Sequence, residues 1–342
     1  MQPARRRAVL AGATALVALA LVMGKARTAR AGAPREDGRF VNLVGPRPLP
    51  GGVEMFPFLL RRAWASIVGR DGGATLVAFD PAALAHNPSV TWIGHATLLV
   101  RMDGVTFVTD PIFSERASPV SFAGPSRMVQ PGVPLAQLPP LDFATLSHDH
   151  YDHSDLGSIT ALSARGVPFI VPLGLGELVR GAGGTATELD WWQETRVGNV
   201  RIVCVPAQHF SGRSLVGGNT TLWAGWVVIG PTRRFYHAGD TGYFDGFREI
   251  GSRFGPIDLA AVPIGAYDPA SIMQFVHMNP EEAVQAALDA RAATAVGMHY
   301  GTFDLTDEPP DEPPRRFHAE ATRRALEPVV TWTLDVGETR RW

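Results

Sequence analysis

The run Ser147-His148-Asp149-His150-Tyr151-Asp152-His153 sets three histidines and an aspartate in a His-x-His-x-Asp-His pattern. Imidazole and carboxylate are ligands for divalent metals of the zinc class. His148 and His150 alternate in a short turn after an apolar strand, so both can face one ion. Asp152 and His153 follow on the next turn and can face a second. The competing reading, a solvated polar loop, does not account for so dense a cluster. Four further ligand-type residues recur at strand ends: His209 after Pro206-Ala207-Gln208, Asp240 in Gly239-Asp240-Thr241-Gly242, His299 in Met298-His299-Tyr300-Gly301, and Asp110 in Thr109-Asp110-Pro111. Singly, each reads as a satisfied structural polar group. Together they repeat one arrangement of strand, ligand-type residue and Gly- or Pro-bearing turn, which points to a convergent site.

The elements that must carry these residues alternate between apolar strands and amphipathic helices. Residues 90–94, 97–102 and 105–109 read as consecutive strands, with Asp103-Gly104 as a tight hairpin turn. Residues 143–147 form a buried strand leading into the histidine motif. Further strands are expected at 169–172, 201–206, 221–229, 234–238, 259–264, 295–299 and 329–334. Helices are expected at 154–165, 243–254 and 280–293, the last with Asn279 as N-cap, Pro280 in first position and acids in its first turn. This order fits an α/β domain of two sheets with helices on their outer faces.

The first 31 residues stand apart. Arg5-Arg6-Arg7 precedes an uncharged run from 8 to 23, and Ala29-Arg30-Ala31 suits cleavage after Ala31. This is the plan of an export signal, and Arg6-Arg7 fits the twin-arginine type. The expectation is a periplasmic or secreted protein. The alternative is an inner-membrane anchor, for which 16 uncharged residues fall short of the roughly 20 needed. Residues 1–31 hold six of the 31 basic residues and no acid, so residues 32–342, read as one domain, carry 25 basic against 33 acidic residues, a net charge of −8. An acidic chain is a poor nonspecific binder of nucleic acid. The lone Cys204 sits in an apolar strand and has no disulfide partner.

Seven tags extend the pattern: Thr91-Trp92-Ile93-Gly94-His95-Ala96-Thr97, Thr109-Asp110-Pro111-Ile112-Phe113-Ser114, residues 146–151, Glu188-Leu189-Asp190-Trp191-Trp192, Gly239-Asp240-Thr241-Gly242-Tyr243, Pro263-Ile264-Gly265-Ala266-Tyr267 and His299-Tyr300-Gly301-Thr302-Phe303. With the histidine pattern they resemble the metallo-β-lactamase superfamily and, within it, the N-acyl-phosphatidylethanolamine-hydrolysing phospholipase D family, from about residue 40 to 303. The resemblance implies an αββα four-layer sandwich with two zinc ions between the sheets. It implies a first zinc on His148, His150 and His209, a second on Asp152, His153 and His299, and Asp240 bridging them. It also implies a phosphodiesterase that cleaves N-acylated ethanolamine phospholipids. Zinc lowers the pKa of its water to about 7, so hydroxide is available to attack phosphorus. No Gly-x-Ser-x-Gly nucleophile motif is present. The alternatives are a zinc-dependent lactonase or other hydrolase of this fold, and a noncatalytic lipid- or metal-binding protein. The last would need a broken ligand set, whereas every ligand position is filled.

The resemblance gives Asp110 the role of orienting metal-binding histidines through hydrogen bonds. His95 is expected to shape the site wall as a buried, hydrogen-bonded histidine. The catalytic candidates are Asp152, within the ligand set, and His277, two residues before the N-cap of the helix at 280. A helix N-terminus favours anions, so His277 would hold a phosphate or protonate a leaving group; the competing reading is a surface histidine. His237 is expected to pack in its sheet, and His86 and His318 to face solvent. Residues 56–68 mix aromatic, aliphatic and cationic side chains: either a segment that meets a membrane surface or an amphipathic helix that packs on the sandwich and exposes its arginines, the reading preferred here. Residues 306–314 read as an irregular, acidic surface loop.

Overall fold

Strand after strand in this chain is apolar at both odd and even positions, which requires both faces of each sheet to be covered. The computed structural model describes residues 32–48, 51–70, 72–213, 218–325 and 330–342. The expected export signal, residues 1–31, lies outside them. From Ala33 onward the described residues form one body.

A short ribbon, β1 (Arg35–Glu36) and β2 (Arg39–Phe40), leads into helix α1 (Gly52–Val68). The first sheet contains β3 (Ser89–Gly94), β4 (Thr97–Met102), β5 (Val105–Thr109), β6 (Phe143–Thr145), β7 (Phe169–Pro172) and β8 (Ala186–Leu189). The second contains β9 (Glu194–Val197), β10 (Val200–Val205), β11 (Gly225–Ile229), β12 (Arg234–His237), β13 (Ile257–Pro263), β14 (Ala292–Met298) and β15 (Val330–Trp332). The last strand, β16 (Thr339–Arg341), returns to the first sheet beside β3. Each sheet has seven strands and the same sequence of pairings. From β16 to β5, and from β9 to β12, the strands are antiparallel; from β5 to β8, and from β12 to β15, they are parallel.

Period-two alternation sorts the side chains of the first sheet into two cores. Trp92, Leu98, Val100, Phe107 and Phe143 point to the second sheet and share a core with Ile202, Val227 and Phe235. Their neighbours Ile93, Leu99, Val108, Ala144 and Phe169 point outward, to Ile159 and Leu162 of α2 (Leu156–Ala164) and Val179 of α3 (Gly176–Gly181). The second sheet is covered by α4 (Gly246–Phe254), α6 (Pro280–Asp289) and α7 (Glu312–Arg323), through Phe247, Ile250, Val284, Ala287 and Phe317. A short α5 (Ala270–Met273) lies between β13 and α6. The layers run helix, sheet, sheet, helix, as the resemblance implies. No helix among the described residues is long and apolar enough to cross a membrane.

Several expected boundaries move. The helix expected to 293 ends at Asp289, and Ala292 begins β14. The alanines there suit either state, and Arg291, at φ 58°, turns the chain between the two elements. Strand β11 starts at Gly225, not 221; residues 222–224 instead bond Leu173 and Ser147 through backbone amides. Tyr243 precedes α4, its hydroxyl donating to Asp289. The stretch 306–314 is not a solvated loop: Thr306 and Glu308 are buried, Glu308 accepts from the Ala266 amide, and α7 begins at Glu312.

Helix α1 reverses the preferred reading. Arg62 points inward, pairing with Asp304 and Asp307 at 2.9 and 3.0 Å, and Arg61 pairs with Asp307 at 2.7 Å. Phe58 is buried. Val53, Phe56, Leu60, Trp64 and Ile67, spaced three and four apart and hence on one face, are exposed, Val53 by 90% and Ile67 by 79%. Its apolar face meets solvent, together with Arg61, whose side chain is half-exposed, while Arg62 is largely covered.

Candidate metal centre

Strands β3, β5 and β6 run in one direction in the first sheet, and β10, β12 and β14 share one direction in the second. His95, Asp110 and the 147–153 run follow the first three; His209, Asp240 and His299 follow the second three. The carboxyl ends of both sheets meet along one edge, and all these side chains gather there. The chain turns sharply to aim them: His95, Asp110 and His299 have φ of 53°, 37° and 63°, conformations that cost energy for residues with a Cβ and cluster at functional sites. At Gly239 a Cβ would lie 2.8 Å from both Ala224 O and Ser147 Cβ, so only glycine lets Asp240 approach the histidine loop.

Four overlapping groups among the described residues could hold a metal ion, and two of them correspond to the expected sites, the second with His95 added. In the first, His148 Nε2 lies 2.8 Å and His209 Nε2 3.2 Å from His150 Nδ1. In the second, His299 Nε2 lies 3.2 Å from His153 Nε2 and 3.5 Å from Asp152 Oδ2. Asp240 Oδ2 stands between them, 3.0 Å from His153 Nε2, 3.1 Å from His299 Nε2, and 3.8 and 3.9 Å from His148 and His209 Nε2. The structure thus brings together the seven residues singled out in the sequence.

Hydrogen bonds behind the cluster set which ring nitrogens face it. Asp110 accepts from Ser147 N and Ser147 Oγ at 2.6 Å and from His153 Nδ1 at 2.8 Å. Ser147 Oγ has then spent its proton, so it accepts from His148 Nδ1 at 2.9 Å. His209 Nδ1 donates to Val276 O at 2.9 Å. In His148, His153 and His209 the Nδ1 proton is thereby fixed, and Nε2 faces the cluster. Outer partners of this kind orient metal ligands. Lone pairs of His148, His150 and His209 converge where at most one proton from His150 can lie between them. Asp240 Oδ1 is buried without a hydrogen-bond partner. This donor set fits divalent cations.

The charges divide the site in the same way. Burial drives His148, His150 and His209 below the ordinary histidine value, leaving three neutral imidazoles. Burial also opposes protonation of His153 and His299, but the Asp240 carboxylate, with Asp152, outweighs it, raising His153 well above that value and His299 to about 9. Burial would raise Asp152 and Asp240, yet the adjacent His153 holds both well below the usual carboxylate range.

The other expected residues fall into place around this core. His95 is buried, its Nε2 2.9 Å from Asp152 Oδ2 and its ring 4.0 Å from that of His299. His237 is buried in β12, 3.3 Å from Ala96 O. His86 and His318 face solvent, the latter bonded to Thr331 and Thr333. His277 is no surface residue: it is 6% exposed, with Nδ1 4.0 Å from Asp240 Oδ2 and its ring 5.1 Å from that of His209. The anion-binding role expected of its helix end is not open, because Asn279 and Glu282 cap each other's amides there.

A cavity of about 330 Å³ opens beside the centre, lined by His150, Asp152, Asp240, His277 and His299 on one side. Its other walls are mostly apolar, with Met55, Phe58, Phe210, Ile272, Val276 and Leu305, and also hold Arg47 and Thr306. Sequence reasoning passed over Phe210, although it directly follows His209, and over α5, which is too short to show a period.

Residues 106–300 match the β-lactamase superfamily domain. The chain is 47% identical over 240 residues to an uncharacterized protein of Mycobacterium tuberculosis, covering 68% of this chain and 64% of that protein's length. It is 45% identical over 267 residues to N-acyl-phosphatidylethanolamine-hydrolyzing phospholipase D 1 of Caenorhabditis elegans, covering 72% of this chain and 74% of that one. A solved metallo hydrolase from the archaeon Ignicoccus hospitalis superposes with a TM-score of 0.57 at 22% identity, over 74% of this chain and 97% of that one, a likeness of fold alone. The chain belongs to the β-lactamase superfamily, has the metallo-β-lactamase fold, and falls in the family that includes the N-acyl-phosphatidylethanolamine-hydrolysing phospholipases D.

Proposed function

We propose that the protein is a dizinc phosphodiesterase that hydrolyses N-acyl-phosphatidylethanolamine-type phospholipids. The observation that carries this reading is Asp240 Oδ2 set between two histidine clusters beside an apolar-walled cavity. His148, His150 and His209 would hold one ion, Asp152, His153 and His299 the other, and Asp240 both. When bound, two zinc ions would supply Lewis-acid polarisation and a nucleophile available at neutral pH. The relative from C. elegans, named for this phospholipase D reaction, supports the substrate class.

The protein's own groups complete the chemistry. The apolar walls accept acyl chain and exclude bulk water, while the polar wall faces the phosphoryl group. Burial lowers His277 to about 3, so it enters the reaction as a neutral imidazole. Nearby dications would lower it further. Its Nδ1 is buried and unpartnered, and an N–H there would donate a hydrogen bond to the departing alkoxide oxygen. His95 holds Asp152 from behind. The exposed apolar face of α1 suits contact with the lipid surface from which such a substrate must be drawn, because Met55 and Phe58 of the same helix line the cavity.

The decisive assay incubates metal-loaded protein with phosphodiesters, phospholipids and lactones and identifies products by mass. Phosphatidic acid and an N-acylethanolamine are expected; lactone turnover far above that of every phosphodiester would sink the assignment. We also propose that residues 1–31 are a twin-arginine export signal. Residues 1–35 fused to a folded reporter should reach the periplasm, and changing Arg6 and Arg7 together to lysine should stop it; unchanged transport would refute the twin-arginine route.

A further inference from the structure

One cation in the cavity wall has no counter-ion. Among the described residues that line the cavity, Arg47 is the only arginine or lysine. Its guanidinium carbon lies 4.1 Å from the centroid of the Phe210 ring, and Phe210 packs edge-on against His150 with ring centroids 4.5 Å apart. Arg47 Nε is buried without a hydrogen-bond partner. Among the described residues no carboxylate pairs with it. Arg61, Arg62 and Arg70, by contrast, are tied to Asp304 and Asp307. Burial lowers the pKa of Arg47, but a guanidinium stays protonated in water-accessible protein sites.

A partly desolvated, unpaired cation costs free energy that a bound anion would offset. The planar fork suits two phosphoryl oxygens at once, and the stack on Phe210 holds its plane. Bound ions would neutralise Asp152 and Asp240 and attract the phosphoryl group as well, but Arg47 alone would offer its oxygens a planar pair of N–H donors from the opposite side of the cavity wall.

We propose that Arg47 binds the anionic oxygens of the phosphoryl group and makes the site prefer phosphodiester anions to uncharged esters. The identity of the anion rests on the phosphodiesterase reading above. Arg47 orients substrate; it moves no proton and breaks no bond.

The test compares metal-loaded wild type, Arg47→Met, which keeps an apolar stem over Phe210, and Arg47→Lys, which keeps the charge and loses the fork. Bis(p-nitrophenyl) phosphate is the anionic substrate, a p-nitrophenyl carboxylate ester the uncharged one, and inorganic phosphate, titrated by calorimetry, the bare ligand. Arg47→Met should raise the KM for the diester and the Kd for phosphate by roughly 10- to 100-fold, with a smaller change in kcat. The uncharged ester should be affected at least tenfold less, and Arg47→Lys should fall between. Metal content and melting temperature should match wild type. Equal losses on both esters would overturn the proposal in favour of packing on Phe210, as would phosphate binding unchanged in Arg47→Met. If wild type hydrolyses no phosphodiester, the functional reading fails, and the phosphate titration alone still decides the role of Arg47.

Discussion

Replacing Asp110 with asparagine should disable both halves of the metal centre, although Asp110 is a ligand in neither. In the structure Oδ1 takes the Ser147 amide, and Oδ2 takes both the Ser147 hydroxyl and His153 Nδ1, at 2.6, 2.6 and 2.8 Å. Asparagine can keep one carbonyl on the amide. Its NH₂ then faces two donors. His153 relieves the clash only by moving its proton to Nε2, the atom aimed at the cluster. Ser147 Oγ, now receiving a proton, turns its own towards His148 Nδ1 and drives that proton to Nε2 as well. One ligand in each cluster is lost by tautomer inversion, with no change in ligand identity. Outer-partner mutations weaken metal binding by about 10–100-fold, and that loss is expected at each site. Charge-assisted bonds contribute about 1.5–3 kcal/mol each, so the metal-free variant should also melt earlier. The assay is competition with a chromophoric chelator, together with elemental analysis and melting. Asp149→Asn is the comparison: Asp149 lies inside the histidine motif but accepts from Gly212 N and Thr221 Oγ1, so its metal affinities should stay within about twofold of wild type on this accounting. If Asp110→Asn binds both ions as tightly as wild type, the tautomer argument is wrong.

Metal affinity should rise with pH up to about 9, because His299, raised to about 9, and His153, raised well above the ordinary histidine value, must each release a proton to become ligands; calorimetry in buffers of different ionisation enthalpy would detect no proton release if this is mistaken. By the same sign, these raised values stabilise the metal-free fold below the unfolded histidine pKa of about 6.5, and that stability is lost as pH rises through 9; the lowered histidines oppose it only below about 6.5, so chelator-treated protein should melt lower at pH 9.5 than at pH 7.5. His277→Ala should slow a phosphodiester with an alkyl leaving group by about 100-fold and a nitrophenolate one much less. The alkyl-substrate ratio of wild type to variant should be flat from pH 5 to 9, since the imidazole is neutral throughout; equal loss on both substrates would leave only phosphate binding for His277. Phe56→Ser with Trp64→Ser should cut co-sedimentation with phospholipid vesicles by at least about tenfold, each buried aromatic contributing roughly 1.5–3 kcal/mol, and spare turnover of a water-soluble diester; undiminished vesicle binding would exclude α1 as the contact.

The candidate ligands were legible because metal chemistry admits few residue types, and because strand ends announce themselves through following Gly and Pro. Their supporting bonds were less so. Nothing local says that Ser147 passes the influence of Asp110 to His148; that follows from β5 and β6 lying side by side. His277 could not be placed from sequence because its neighbours His209, Asp240 and His299 come from distant segments. The amphipathic pattern of 56–68 was visible, but a pattern does not say which face meets the body. The decision was made by Asp304 and Asp307, more than 240 residues away. The start of strand β14 is not legible because Ala292-Ala293-Thr294 is too short and too weakly apolar to show a strand period and suits a helix as well.

The matching pairing orders of the two sheets cast the body as two similar half-molecules set face to face. In that shared order the second strand of each half, β3 or β10, is followed by a histidine, His95 or His209, and the fourth, β5 or β12, by an aspartate, Asp110 or Asp240. The echo is not a duplication of the site. The first half supplies His148, His150, Asp152 and His153, the second His209, Asp240 and His299, so neither half owns a complete ligand set. Ions held there would act as rivets along the seam, and their binding free energy, RT ln(1 + [M]/Kd) for each, would tighten the mating of the halves and leave each half's own packing unaltered. The substrate cavity is walled from both sides of that seam, by His150 and Asp152 on one and His277 and His299 on the other. Its shape therefore depends on how firmly the halves are riveted, and whatever strips the ions would slacken the vessel as well as empty it of its chemistry.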